Sequence, residues 1–184
     1  MKHFNKQLLS LLALALTGLT AKAAVSTIGG TIYNPANGHN YLLVGLGTWS
    51  QTDAFASSSL GGHLVTINDA AENNWLTANF VTTNPTFNFW MGLNDLDANG
   101  TWTWISGEPV TYLNWAPGEP NFSNEKVGNL LPTYAANTGM WNNAPDVIEA
   151  GIFYGIVEVP EPTVFALGMI SCACFAVVRN RRHA

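Results

Sequence analysis

Residues 61–76 read GGHLVTINDAAENNWL. Gly61-Gly62 is a pair suited to ending a helix that arrives from the N-terminal side. His63 to Ile67 then alternates in the period-two manner of a half-buried strand. Asp69, followed three residues later by Glu72, has capping-box spacing with Asp in place of the usual Ser or Thr. It opens a second helix, whose Ala71, Trp75, Leu76 and Phe80 fall on one face.

The neighbouring segments extend the pattern. Upstream, Tyr41 to Gly45 is strand-like, Thr48 can act as an N-cap, and Trp49, Ala54, Phe55 and Leu60 recur at roughly helical spacing. Downstream, Phe89–Leu93 and Thr101–Ile105 read as a hairpin around Asp97-Ala98-Asn99-Gly100. A long stretch rich in Pro, Gly and Asn follows, up to about Gly139, and a loop of that length in a compact domain is usually functional. Met140-Trp141 and Gly151–Val159 supply closing strands. The sum is an α+β domain: two early helices, short antiparallel strands and one long loop. Roughly 135 residues between the two chain ends suffice for one domain with a core and are too few for two.

In order and spacing, GGHLVTI (61–67), Glu72, Trp75-Leu76, FWMGL (89–93), WTW (102–104), Trp115, EPN (119–121) and MWN (140–142) resemble the C-type lectin-like domain over nearly all of residues 30–158. Most of these residues are read as core, including Trp75, Trp90, Trp102 and Trp104. Glu119-Pro120-Asn121 is the exception, because it lies where that family holds its sugar-binding calcium. The resemblance implies a cis Glu119–Pro120 bond that aims both flanking side chains at one ion. A carboxylate and an amide oxygen are hard ligands suited to Ca²⁺. With calcium in place, Glu119 would accept a hydrogen bond from a sugar hydroxyl and Asn121 would donate one. In the family this order goes with mannose- or glucose-type sugars.

Glu125 is the candidate for the second acid that the family places after the Asn. Asn142 and Asn143 stand where the family pattern is Asn-Asp. The expected carbohydrate-binding and metal set is therefore Glu119, Asn121, Glu125, Asn142 and Asn143. Asn143 in place of Asp removes one negative charge, which should weaken calcium. Asp95 and Asp97 before Asn99-Gly100 are either an auxiliary calcium site or simply a hairpin turn. His39 and His63 lack zinc spacing and are read as structural.

The chain ends read differently. Residues 1–23 have the layout of a cleavable secretion signal: Lys2 and Lys6, an apolar run from Leu8 to Leu19, then Ala21-Lys22-Ala23. At the far end Pro160-Glu161-Pro162, the uncharged Thr163–Val178, and Arg179, Arg181 and Arg182 resemble a PEP-CTERM sorting tail over residues 159–184. At about 1.5 Å per residue that apolar run spans roughly 24 Å, short for a permanent transmembrane helix. The resemblance implies a bacterial protein held transiently in the membrane and processed by an exosortase. Both cysteines, Cys172 and Cys174, lie in this tail, so no disulfide supports residues 25–158.

Residues 25–158 hold eleven carboxylates and one lysine, Lys126, a net −10. That balance argues against nucleic acid, which is bound through cationic contacts to phosphate. The expected function is calcium-dependent binding of an extracellular glycan or exopolysaccharide at the cell surface or beyond. The alternative is a structural or adhesive module that binds protein with a degenerate calcium site. An enzyme is not expected, because Ser57 to Ser59 have no His and Asp partners and no paired carboxylates frame a glycosidase site.

Overall fold

In a computed structural model of the chain, residues 25–133, 136–146 and 153–161 are described. The signal and nearly all of the sorting tail lie outside them. Among the described residues eight strands and two helices follow in the order β1 (Thr27–Tyr33), β2 (Asn40–Val44), α1 (Trp49–Phe55), β3 (His63–Leu64), α2 (Ala70–Leu76), β4 (Asn88–Asn94), β5 (Thr103–Trp104), β6 (Val127–Leu130), β7 (Trp141–Ala144) and β8 (Phe153–Val159). Each helix continues into one π-helical turn, Ala56–Leu60 after α1 and Thr77–Val81 after α2.

The strands join in one antiparallel-rich sheet of order β1-β2-β8-β4-β6-β7, with β3 pairing β8 and β5 pairing β4. Among the named strands of the described residues, β4 and β8 alone pair in parallel, from Asn88↔Phe153 to Trp90↔Gly155. The centre of this sheet is buried on both faces. Tyr41, Leu43, Phe89, Met91, Leu93 and Ile156 pack with Leu76 and Phe80 of the second helical segment. Leu42, Val44, Trp90 and Val157 pack with Trp49 and Ala56 of the first. This explains why YLLV and FWMGL are continuous apolar runs, as strands covered on both sides must be.

Local chemistry sets the helix ends. Thr48 accepts from the Gln51 backbone N–H while the Gln51 side chain accepts from that of Thr48, a complete capping box. Gly61 closes the segment in the left-handed region at φ 67°. Asp69 caps α2 through the Glu72 N–H at 2.8 Å. Glu72, however, does not return to Asp69. One of its oxygens accepts from the Asn68 N–H at 2.9 Å and the other from the Tyr41 hydroxyl at 2.5 Å.

Three expectations change. Leu64 to Ile67 is buried throughout instead of alternating, because the segment passes between the two clusters, Leu64 into one and Val65 and Ile67 into the other. Ala54 and Ala71 are exposed; Thr52 and Ala56 face the core from the first helical segment, and Glu72, Asn73 and Leu76 from the second. The stretch from Ile105 to Gly139 is not one loop, since β6 interrupts it and pairs with both β4 and β7.

Candidate functional site

The long loop now runs from Ile105 to Lys126, and its first half is held by an aromatic cluster on Trp141. Tyr112, Trp115 and Trp104 meet that ring edge-on with centroids 5.5, 5.9 and 5.7 Å away. Backbone bonds fasten the same place: Ala116 N–H to Trp141 O and Trp141 N–H to Asn114 O, both 2.8 Å. Trp141 is itself anchored, donating Nε1–H to Asn73 Oδ1 at 2.8 Å.

Beyond this anchor Glu119 N–H turns back to Ala116 O at 2.9 Å, and the Glu119–Pro120 bond is cis. Asn121 donates Nδ2–H to Glu119 Oε1 at 3.0 Å. The other carboxylate oxygen, Oε2, is shut off from solvent and has no hydrogen-bond partner. Burial raises the pKa of Glu119, partly offset by the Asn121 backbone N–H. Burial also raises that of Glu125, and the Glu119 charge adds to it. The Glu119 charge is thus near enough to act on Glu125, and no cation is paired to either carboxylate among the described residues.

This arrangement fits a hard divalent cation. An orphaned buried oxygen, a neighbouring amide and a second carboxylate are the donor types calcium takes, and a dication between the two acids would relieve their mutual repulsion.

Asn143 is placed differently from a simple ligand. It is 1% exposed. Its Oδ1 accepts the Asn121 N–H at 3.1 Å, and its Nδ2 donates to the carbonyls of Phe122 at 3.1 Å and Glu125 at 3.2 Å. The amide therefore binds the Glu119–Glu125 segment to β7. Asn142 points elsewhere, donating to Asn129 Oδ1 at 3.4 Å and to the Asn143 carbonyl. Glu119, Asn121, Glu125 and Asn143 are brought together by these contacts; the Asn142 side chain is directed toward β6.

Beside the loop lies a cleft of about 490 Å³, walled by Trp102, Phe122, Glu125, Lys126, Asn143 and the Asp95 turn among others. Trp102 is therefore half-buried at the wall instead of in the core. Phe122 is 62% exposed. Asp95 accepts from the N–H groups of Asn99 and Gly100, and Lys126 Nζ lies 3.0 Å from its Oδ2. The Asp95–Gly100 segment is thus a hairpin turn closed by a lysine. Burial pushes the Asp95 pKa up, but Lys126 and the two N–H groups outweigh it and hold it below the usual range.

A second polar cluster escaped the sequence reading, because its members are up to 119 positions apart. His39 Nδ1 meets Glu158 Oε1 at 2.7 Å, and Glu72 lies beside them, with candidate ligand atoms of all three within 4.8 Å. Glu72 also accepts from Tyr41 and Asn37. The cluster ties the β2 approach, α2 and β8 together.

A family model described as Lectin C-type domain matches residues 47–149. Mouse (Mus musculus) lithostathine-1 is 37% identical over 93 residues, 50% of this chain and 54% of that protein. The mouse low affinity immunoglobulin epsilon Fc receptor is 35% identical over 96 residues, 52% of this chain and 27% of the receptor. The chain thus spans about half or less of the length of these relatives. Among solved structures, human lithostathine aligns with TM-score 0.63 at 24% identity, over 74% of this chain and 92% of that one. The cow C-type carbohydrate-recognition domain of CD23, solved in the presence of GlcNAc2Man3 oligosaccharide, aligns with TM-score 0.57 at 28% identity, over 74% and 98%.

Proposed function

The chain belongs to the C-type lectin domain family, and from that premise we propose that it is a calcium-dependent glycan-binding module that acts outside the cell. The observation that carries this reading is Glu119 Oε2, buried and unpartnered, with Glu125 near enough to feel the Glu119 charge. Burying an unpaired carboxylate oxygen is costly, and a cation offsets that cost.

Glu119, Asn121 and Glu125 would hold the ion, with Asn143 keeping their segment in place and Asn142 supporting β7 against β6. Bound calcium would supply a Lewis-acidic site for two vicinal sugar hydroxyls. Asn121 Nδ2, now donating to Glu119 Oε1, would turn its donor to one hydroxyl oxygen. Glu119 would accept the hydrogen of that hydroxyl or its neighbour. The Glu-Pro-Asn order and the GlcNAc2Man3 oligosaccharide present with the cow CD23 domain both support mannose- or glucose-type sugars.

Residues 1–23 and 159–184 support delivery by secretion and exosortase processing, with residues 25–158 as the working domain and a bacterial exopolysaccharide as its target. Among the described residues no helix is long and apolar enough to cross a membrane; the apolar tail lies outside them. A second reading, a protein-binding adhesive module without calcium, is favoured by Asn143, whose amide already fastens the loop carbonyls.

A glycan array probed with calcium and with chelator tests the choice. Chelator-sensitive signal on mannose- or glucose-containing glycans is the expected result. Signal on no sugar in either condition would leave the adhesive reading.

A further inference from the structure

The net −10 domain has a single lysine, and it pairs with neither Glu119 nor Glu125. Its ammonium lies 3.0 Å from Asp95 Oδ2, across the cleft wall, with Asp95 5% exposed and Lys126 25% exposed by side chain. The contact is doubled through the backbone, since Asp95 N–H donates to Lys126 O at 2.9 Å. The Asp95 turn otherwise has features of a cation site, a nearly buried carboxylate and a turn closed at Gly100, although Asn99 Oδ1 already accepts the Thr101 N–H at 2.8 Å.

We infer that Lys126 is a tethered cation that fills the Asp95 turn and limits the long loop to one divalent ion, while clamping the ligand-bearing segment to the hairpin. This inference rests on the calcium site proposed at Glu119, Asn121 and Glu125. A buried carboxylate needs a counter-charge. An ammonium on the chain supplies it at every calcium concentration, so the hairpin wall stays assembled in chelator. Lys126 directly follows Glu125 and directly precedes β6, so the same residue fixes where the end of the ligand segment leaves the sheet. It is a positioning residue: it acts on the ligands and does not touch the ion.

The test is calcium titration of the full exported chain, followed by calorimetry and by backbone amide NMR signals. In the unaltered protein one ion binds, the Asn121 and Phe122 amides respond, and those of Asn99 and Gly100 do not. In Lys126→Asp the stoichiometry rises from one to two and the Asn99 and Gly100 amides become calcium-responsive. Lys126→Arg restores the original pattern, and Lys126→Asn serves if Lys126→Asp does not fold. Calcium shifts at Asn99 and Gly100 in the unaltered protein, or a folded Lys126→Asp that takes no added ion, would overturn the inference. Silence at Asn121 with a gained response at Asn99 would sink the calcium-lectin reading and leave Lys126 in its role.

Discussion

Asn143 accepts the backbone N–H of Asn121 on its side-chain oxygen at 3.1 Å, so the residue standing in the position of a family acid is a clasp for the loop. Its amide hydrogens go to the carbonyls of Phe122 and Glu125. Asn143→Asp removes both donors and adds a third carboxylate near Glu119 and Glu125. Without calcium this variant should be about 1–3 kcal/mol less stable, and saturating calcium should close most of that gap. Denaturant melts in chelator and in calcium provide the measurement. Equal loss in both conditions would mean that the added carboxylate does not reach the ion.

Glu119→Gln keeps the shape and an acceptor for Asn121 but deletes the charge whose Oε2 is unpartnered. Calcium affinity should fall by at least about tenfold, since ligand charge tunes such sites over decades. The apo protein should be no less stable, because a buried acid with a raised pKa has been neutralised. Calorimetry and a chelator melt read the two effects separately. An unchanged calcium isotherm would remove Glu119 from the ligand set.

Trp141→Phe tests the anchor of the loop. It deletes the donor to Asn73 Oδ1, and Asn73 is 3% exposed. An orphaned buried acceptor costs about 1–3 kcal/mol, and the smaller ring loosens contacts to Tyr112 and Trp115. Both the denaturation midpoint and calcium affinity should drop. A stability loss with intact calcium affinity would show that the ligand segment holds its shape without this anchor.

Stability should depend on pH in a calcium-sensitive way. Burial raises the pKa of Glu119, Glu125 and Glu158; at Glu158 His39 and His63 oppose the rise while Glu72 and Glu108 add to it. The folded chain then retains protons that the unfolded chain has released. Stability therefore falls as pH climbs from the ordinary glutamate value of about 4.3 through the raised values. Asp95 runs the other way: its lowered pKa contributes stability above the ordinary aspartate value of about 3.9, lost as pH falls through its folded value. In chelator the melting temperature should be highest in weak acid and decline toward neutrality. Calcium should flatten the part due to Glu119 and Glu125, leaving the slope from Glu158. A melting temperature that climbs steadily between about pH 5 and pH 7 in chelator would falsify this account.

The helices were legible because their signals are local: Thr48 with Gln51, Asp69 with Glu72, and the Gly61 stop. Two strands were not. β1 is exposed along its whole length and has no buried face to leave a pattern. β6 reads Val-Gly-Asn-Leu, a loop-like composition, because a Cβ at Gly128 would lie 2.6 Å from the Met91 methyl and because buried Asn129 bonds Asn88 and Asn142 across the sheet. The Glu119–Asn121 pair could be read from adjacency alone. The clasp of Asn143 on Asn121 and Glu125 depends on how a loop closes between residues 18 to 22 positions apart, and no spacing rule encodes that. Likewise Asp95 was open between ion site and turn until Lys126, 31 positions away, was seen to close it.

Strand β8 occupies the middle of the sheet, antiparallel to β2 on one side and parallel to β4 on the other. Its consequence is temporal. Residues 153–159 are the element through which the N-terminal hairpin and the loop-bearing strands are joined, so a chain still emerging cannot unite its halves until they arrive. Such a high-contact-order architecture folds late and slowly. If the chain is exported through a membrane as proposed above, residues 25–158 would stay open until β8 cleared the passage, then close around that strand with no disulfide of their own to await.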